Sequence, residues 1–129
     1  MNRKILLVED NESNRYLATF LLERAGFTVV HAPDGSAALA LAATADPALI
    51  LLDIQLPGMD GYAVARALRD LPALGAVPII AVTSYAMTGD REKALEAGCN
   101  TYLEKPINPE TFVAEVTRHL PGTEAKETP

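Results

Sequence analysis

The sequence predicts a doubly wound α/β domain, with a five-stranded parallel sheet in the order 2-1-3-4-5 and helices on both faces. Strand-like and helix-like segments alternate five times along the chain. The segment 48–52 is apolar at every position, which is typical of a strand buried on both faces. Polar residues follow the strand-like segments directly, at the edge where open α/β sheets bind ligands.

The first half of the chain contains clear helix boundaries. After a first strand over 5–8, we expect a helix over about 13–25 that Gly26 ends. A strand over 27–31 follows, and Asp34 caps a second helix that extends to about residue 45. The inward-facing stripe of the first helix is predicted to be Leu17, Phe20 and Leu21.

Prolines and glycines bound the elements of the second half. The turn-rich loop 56–61, with Asp60 as the predicted cap, precedes a third helix that Pro72 ends. A strand follows Pro78, a helix covers about 90–97, and a last strand covers 101–104. The last helix is predicted to open with Asn108 as its cap and Pro109 at its first position. Its buried stripe is Phe112, Val116 and Leu120.

Length and charge exclude several classes of protein. The 129 residues fit one domain over 1–120, and the polar stretch 121–129 is expected to be a disordered tail or a linker stub. A net charge of −6 argues against nucleic acid or an anionic membrane as a direct partner. Cys99, the single cysteine, is expected to be a buried, inert thiol. Without a signal peptide or a transmembrane stretch, a cytoplasmic location is expected.

Acidic residues end the two strands at the predicted switch point of the sheet. Glu9 and Asp10 follow the first strand, and Asp53 ends the third. Carboxylate oxygens suit Mg²⁺, so we expect Asp10, Asp53 and the backbone carbonyl of Gln55 as ligands, with Glu9 binding through water. Without metal, this crowding should raise the pKa of at least one acid.

The same edge carries groups that suit phosphoryl transfer. Asp53 is the predicted nucleophile, because a carboxylate can attack phosphorus and form an acyl phosphate. Magnesium and Lys105 would neutralise the phosphoryl oxygens, and the Thr83 hydroxyl would donate to one of them. Tyr102 could then move inward behind Thr83. A tight turn must aim Lys105 at the site, so we expect a cis peptide between Lys105 and Pro106.

Four ordered motifs resemble the receiver domains of two-component response regulators over about residues 3–120. They are Val8-Glu9-Asp10-Asn11, Leu52-Asp53-Ile54-Gln55-Leu56-Pro57-Gly58-Met59-Asp60-Gly61, Val82-Thr83-Ser84-Tyr85-Ala86-Met87 and Tyr102-Leu103-Glu104-Lys105-Pro106. The resemblance implies phosphotransfer to Asp53 from a histidine kinase or a histidine phosphotransfer protein. It also implies Thr83 and Tyr102 as a switch pair and Lys105 as the phosphoryl partner.

The resemblance further implies an output surface formed by the fourth helix, fifth strand and fifth helix, and a monomer or a weak phosphorylation-dependent dimer. The chain looks similar to stand-alone receivers of the DivK type and to receivers inside hybrid kinases. It departs from the family at Ser84, where alanine or glycine is usual. Ser84, together with Gln55 and Tyr85 on the predicted path of attacking water, is expected to set phosphoryl lifetime.

Competing functions are weaker. A phosphorylation-independent interaction module would leave the clustered acids without a ligand. An aspartyl-phosphate hydrolase needs an acid two residues after its nucleophile, where this chain has Gln55, so no activity beyond its own phosphotransfer and dephosphorylation is expected. A flavin or dinucleotide site lacks its glycine-rich first turn. His31 and His119 are predicted to be surface residues without partners, and neither is expected to be a phosphorelay histidine.

Overall fold

A single parallel sheet organises the computed structural model, which describes residues 3–56, 58–84 and 89–120. The strands lie in the order β2-β1-β3-β4-β5, as the sequence predicts. Every adjacent pair is parallel. The strands are β1 (Lys4–Val8), β2 (Thr28–Ala32), β3 (Leu49–Asp53), β4 (Ile79–Thr83) and β5 (Thr101–Glu104).

The helices connect these strands and cover both faces of the sheet. They are α1 (Glu12–Arg24), α2 (Gly35–Ala45), α3 (Gly61–Asp70), α4 (Asp90–Glu96) and α5 (Phe112–Arg118). One turn of 3₁₀ helix, Pro72–Leu74, follows α3. Every residue of β3 and β4 is buried, because α helices cover both sides of the sheet centre.

Alternate side chains of the strands form two apolar clusters. One cluster packs the sheet against α2, α3 and α4, and the other packs it against α1 and α5. The first includes Leu6, Val8, Ile50, Leu52, Ile79, Ala81, Ala38, Val64, Leu68 and Ala94. The second includes Ile5, Leu7, Leu49, Leu51, Ile80, Val82, Ala18, Leu22, Phe112 and Val116. The core therefore fixes the strand ends that carry the polar residues.

Three predicted helix boundaries are confirmed. Asp34 caps α2 by accepting a hydrogen bond from the backbone N–H of Ala37 at 2.8 Å. Asp60 caps α3 by accepting from the N–H of Tyr62 at 3.0 Å. Leu71, which precedes Pro72, has the extended backbone that a following proline imposes, so α3 ends before it.

The predicted inward stripe of α1 is wrong at Phe20. This side chain is 48% exposed and stacks on Tyr16 at a ring-centroid distance of 6.5 Å. The fully buried positions of α1 are Ala18 and Leu22. The small side chain of Ala18 faces the sheet, and this orientation turns Phe20 towards solvent.

The predicted start of α5 is also wrong. Asn108 accepts a hydrogen bond from the N–H of Glu110 at 2.9 Å, but the turn that it caps precedes α5, whose cap position is Thr111. Thr111 N–H bonds to the Asn108 carbonyl in an i to i+3 pattern, and regular helix begins at Phe112. The predicted stripe is correct, because Phe112, Val116 and Leu120 are all buried.

Arg69, at the end of α3, ties three chain segments together. Its guanidinium donates to the carbonyls of Leu74, Val77 and Gly98 at 2.9, 2.7 and 2.6 Å. These contacts join α3 to the connection before β4 and to the end of α4.

Cys99, buried beside Gly98, has a pKa raised to about 11, chiefly by burial, as predicted for an inert thiol.

None of the described helices is long and apolar enough to span a membrane. The tail predicted over 121–129 lies outside the described residues.

Candidate functional site

Three carboxylates meet at the C-terminal edge of β1 and β3. One oxygen from each of Glu9, Asp10 and Asp53 lies within 4.8 Å of the others. Glu9 and Asp53 are 4% and 3% exposed, whereas Asp10 is exposed. Each follows or ends an apolar strand, so the sheet register brings them together. The predicted convergence of these acids is confirmed.

Lys105 supplies the positive charge of the cluster. Its Nζ lies 3.0 Å from Glu9 Oε1 and 3.1 Å from Asp53 Oδ2, with the lysine side chain only 10% exposed. The peptide between Lys105 and Pro106 is cis, as predicted. With these two contacts, the loop after β5 places the ammonium at the ends of β1 and β3.

Burial changes the pKa values of two residues in this cluster, Glu9 and Lys105. Burial, and then the hydrogen bond with Asp53, raises the pKa of Glu9 from 4.5 to about 6, although Lys105 acts in the opposite direction. Burial lowers the pKa of Lys105, but its hydrogen bonds to Glu9 and Asp53 outweigh this effect and raise it overall. The expected rise in the pKa of an acid is thus confirmed at Glu9.

The side chain of Gln55 bridges two residues at the end of β4. Its Nε2 donates to Thr83 Oγ1 at 2.7 Å, and its Oε1 accepts from the N–H of Ser84 at 2.9 Å. The Ser84 N–H can only donate, so it fixes which end of the carboxamide faces it. The Gln55 backbone N–H also donates to Asp53 Oδ1 at 2.9 Å. One residue therefore contacts the predicted nucleophile, the predicted switch threonine and Ser84.

The end of β4 is connected to β5 through the backbone. Thr83 is 3% exposed, and its carbonyl accepts from the N–H of Lys105 at 2.8 Å. Tyr102, the other predicted switch residue, pairs with Ala81 in the sheet register. It is half-buried and packs against the apolar cluster that lies between the sheet and α2, α3 and α4.

Comparison with known proteins decides the family. The response regulator receiver domain family matches residues 5–117, which is most of the chain. This chain is a response regulator receiver domain. Its four motifs and its strand order agree with that assignment.

Curated relatives and solved structures agree over almost the whole receiver. It is 40% identical over 120 residues to the polar-differentiation response regulator DivK of Brucella ovis, covering 93% of this chain and 98% of that protein. The chemotaxis response regulator CheY4 of Vibrio cholerae has 32% identity and a TM-score of 0.88, covering 93% of this chain and all of that one. The receiver domain of the sensor histidine kinase PA1611 from Pseudomonas aeruginosa has 38% identity and a TM-score of 0.84, covering 92% and 98%, and its structure holds a magnesium ion coordinated in the active site cleft.

His31 of this receiver has partners that the sequence did not reveal. Its Nε2 lies 2.8 Å from the backbone carbonyl oxygen of Glu9, and its Nδ1 lies 3.5 Å from Arg15 Nη1. His119 Nδ1 lies 3.0 Å from the carbonyl oxygen of Glu115. The prediction of two surface histidines without partners is therefore wrong, because both rings bond to backbone carbonyls and are half-buried. Such contacts leave no residue pattern in a sequence.

One predicted site residue cannot be placed. Tyr85, expected to flank the path of attacking water, lies outside the described residues. Ser84, its neighbour, is exposed, and its N–H donates a hydrogen bond to the Gln55 carboxamide oxygen. The structure thus places Gln55 and Ser84 side by side at the opening of the site.

The raised pKa of Glu9 predicts a pH-dependent affinity for Mg²⁺. A group with a pKa of about 6 is roughly 90% ionised at pH 7 and roughly 10% ionised at pH 5. We expect the dissociation constant for Mg²⁺ to rise about tenfold between pH 7 and pH 5, because protonation removes a negative charge from the cluster. Isothermal titration calorimetry at both pH values measures this change. Glu9→Gln should flatten the dependence, and equal wild-type constants at both pH values would contradict it.

Proposed function

We propose that this receiver is a phosphorylation-dependent signalling switch, in which Asp53 accepts a phosphoryl group and the α4–β5–α5 surface changes its affinity for a partner. The observation that carries the proposal is the environment of Asp53. Its carboxylate is buried at a sheet edge, lies within 4.8 Å of two other acids and accepts a hydrogen bond from Lys105 at 3.1 Å. Such a charge cluster suits a bound cation and a transferred anion.

The donor set fits Mg²⁺, which prefers hard oxygen ligands. Asp10 and Asp53 would hold the ion through carboxylate oxygens, with the backbone carbonyl of Gln55 as a third ligand and Glu9 binding through water. When bound, Mg²⁺ supplies positive charge for the phosphoryl oxygens and offsets the repulsion between the acids. The raised pKa of Glu9, caused first by burial and then by its hydrogen bond with Asp53, supports this fit, because a bound cation would favour the ionised carboxylate.

In the proposed transfer, a carboxylate oxygen of Asp53 forms a bond to phosphorus while the bond from phosphorus to the donor's histidine nitrogen breaks. The electron pair of that bond stays on the imidazole of the donor. Lys105 keeps its proton, as its raised pKa requires, and its ammonium stabilises the negative charge on the phosphoryl oxygens. The chain's own contribution is therefore position and charge rather than proton transfer.

Thr83 and Lys105 would together report the modification. Moving a two-state equilibrium from mostly off to mostly on needs about 5.5 kcal/mol of differential affinity. A hydrogen bond to a charged group supplies about 1.5–3 kcal/mol, so the Thr83 hydroxyl alone is insufficient. The hydrogen bond from the Lys105 N–H to the Thr83 carbonyl supports a joint role, because a shift in the backbone of either residue would move the backbone of the other.

Tyr102 and the surface beyond it would convert this movement into binding. Tyr102 is half-buried and packs against the apolar cluster, so an inward movement would bury more of its ring, and Leu95 on α4 is a large apolar side chain exposed by 44%. We propose that a downstream protein binds this α4–β5–α5 surface.

The phosphoryl donor would be a histidine kinase or a histidine phosphotransfer protein. The donor and the downstream protein would both bind this receiver in the cytoplasm. The protein would be a monomer or a weak phosphorylation-dependent dimer, with no catalysis beyond its own phosphotransfer and dephosphorylation.

Incubation with acetyl phosphate and Mg²⁺, followed by intact-mass measurement, tests this function. We expect one phosphoryl group per chain and none when EDTA removes the metal. A chain that gains no phosphoryl mass under these conditions would instead favour the phosphorylation-independent interaction module.

The Gln55 side chain is expected to slow loss of the phosphoryl group. It is exposed and bridges Thr83 and Ser84 beside Asp53, where it would limit access of water to the phosphoryl group. Gln55→Ala should shorten the phosphoryl lifetime several-fold in a dephosphorylation time course. Gln55→Met keeps most of the bulk but not the hydrogen bonds, so it should restore most of the lifetime. A lifetime unchanged in Gln55→Ala would remove Gln55 from this role.

A further inference from the structure

We infer that His31, on β2, is a positioning residue that holds the peptide between Glu9 and Asp10 and so presents Asp10 for metal binding. The inference rests on the proposed function, because it assigns Asp10 as a Mg²⁺ ligand. His31 lies on β2, and its hydrogen bond to the acidic cluster is to a backbone carbonyl.

The contact between His31 and Glu9 is short and has one possible direction. The Nε2 of His31 lies 2.8 Å from the carbonyl oxygen of Glu9. A carbonyl oxygen only accepts, so Nε2 carries the proton and donates. The Glu9 N–H donates in turn to the carbonyl of Ala32 at 3.1 Å. The end of β2 therefore holds the Glu9 residue by both of its backbone polar groups.

Arg15 completes this arrangement from α1. Its Nη1 lies 3.5 Å from Nδ1 of His31, the ring nitrogen left as an acceptor when Nε2 is protonated. Its backbone N–H donates to the carbonyl of Asn11 at 2.9 Å, in the first turn of α1. The ring of His31 thus lies between Glu9, which follows β1, and Arg15, which is in the first turn of α1.

The position of the Asp10 side chain depends on the backbone that carries it. The side chain is exposed, and no described residue makes a hydrogen bond to its carboxylate. The peptide before Asp10 sets the position of its Cα and Cβ, and so the region that its carboxylate can reach, and the bond from His31 restrains that peptide from rotating. Groups that orient metal ligands usually contribute to metal affinity through this kind of restraint.

Mg²⁺ binding measured by calorimetry on the unphosphorylated protein tests the inference. His31→Phe keeps a ring but loses the donor, and we expect the dissociation constant for Mg²⁺ to rise by roughly 3–10-fold. This is less than the 10–100-fold that follows loss of a group bonded directly to a ligand side chain, because His31 acts through the backbone. His31→Gln places an N–H donor at a similar reach and should restore most of the affinity.

His119→Phe is the matched control. His119 is also half-buried and also contacts a backbone carbonyl, but it lies at the end of α5. This variant should bind Mg²⁺ like the wild type even if its melting temperature falls as much as that of His31→Phe. A long-range ¹H–¹⁵N NMR spectrum of the wild type at pH 8 should also show the proton on Nε2 of His31, a measurement that needs no variant.

The outcomes separate the two proposals. Wild-type protein that binds Mg²⁺, combined with a His31→Phe constant equal to that of the wild type, overturns the role of His31 and leaves the proposed function intact. A proton on Nδ1 of His31 also overturns that role. Wild-type protein that binds no Mg²⁺ at millimolar concentration overturns the proposed function and the role of His31 with it.

Discussion

Asp53→Asn is expected to abolish phosphoryl uptake from acetyl phosphate, while the chain remains folded. The change replaces one carboxylate oxygen by an amide nitrogen of similar size, so the buried site is still filled. An amide is a poor nucleophile towards phosphorus and cannot form the acyl phosphate. Intact-mass measurement after incubation with Mg²⁺ and acetyl phosphate should show only unmodified protein. The affinity for Mg²⁺ should fall as well, because one negative ligand is lost.

Asp60→Asn is the matched control for this experiment. Asp60 caps α3 through a hydrogen bond from Tyr62, and asparagine caps helices about as well as aspartate. Asp60→Asn should therefore be phosphorylated like the wild type. Phosphoryl mass on Asp53→Asn would show that another side chain is the acceptor.

Gly61→Ala, at the first residue of α3, is expected to cause a large loss of stability. A Cβ at Gly61 would lie 2.5 Å from the Cα and 2.6 Å from the carbonyl oxygen of Ile54. These are backbone atoms one residue after Asp53, so neither can rotate away as a side chain could. We expect the free energy of unfolding to fall by about 3 kcal/mol or more. Urea denaturation monitored by circular dichroism measures this loss.

Gly75→Ala is the control for the added methyl group. The nearest atom to a Cβ at Gly75 is the carbonyl oxygen of Pro72, at 3.8 Å, and the backbone there is right-handed helical. This change should be neutral or slightly stabilising, because alanine has less conformational freedom in the unfolded chain. Equal urea midpoints for Gly61→Ala and Gly75→Ala would contradict the proposed clash. Because the strained segment carries Ile54, Gly61→Ala should also impair phosphorylation of whatever fraction stays folded.

The sheet could be predicted because its cause is local. A strand buried on both faces must be apolar at nearly every position, and 49–52 meets that condition without any knowledge of its neighbours. The meeting of Glu9, Asp53 and Lys105 followed from strand order, since parallel strands end at the same edge of the sheet. Helix caps such as Asp34 and Asp60 were predictable for the same reason, because each bonds within three residues of itself.

Positions that depend on packing were harder to predict. Of the predicted stripe Leu17, Phe20 and Leu21, Leu21 packs against the core but Phe20 does not, because the fully buried positions of α1 are Ala18 and Leu22. At α5, the pair Asn108 and Pro109 has the usual composition of a helix start. The chain instead makes one extra turn before Phe112, and no composition rule separates these two outcomes.

Long-range contacts made by single side chains outside that charge cluster were not predictable. The carboxamide of Gln55 spans 28 positions to Thr83, and the ring of His31 spans 22 positions to a carbonyl of Glu9. A backbone carbonyl is present at every residue, so a histidine that binds one leaves no distinctive partner in the sequence. Such contacts become visible only once the strands are placed side by side.

The buried thiol of Cys99 makes this protein convenient for fluorescence labelling. With a pKa of about 11 the sulfur is almost entirely protonated near neutral pH, and maleimides react with the thiolate. A cysteine introduced at exposed Leu95 would therefore be the single site that takes a dye under mild conditions. A fluorophore there would report directly, in real time, on events at the outer surface of α4.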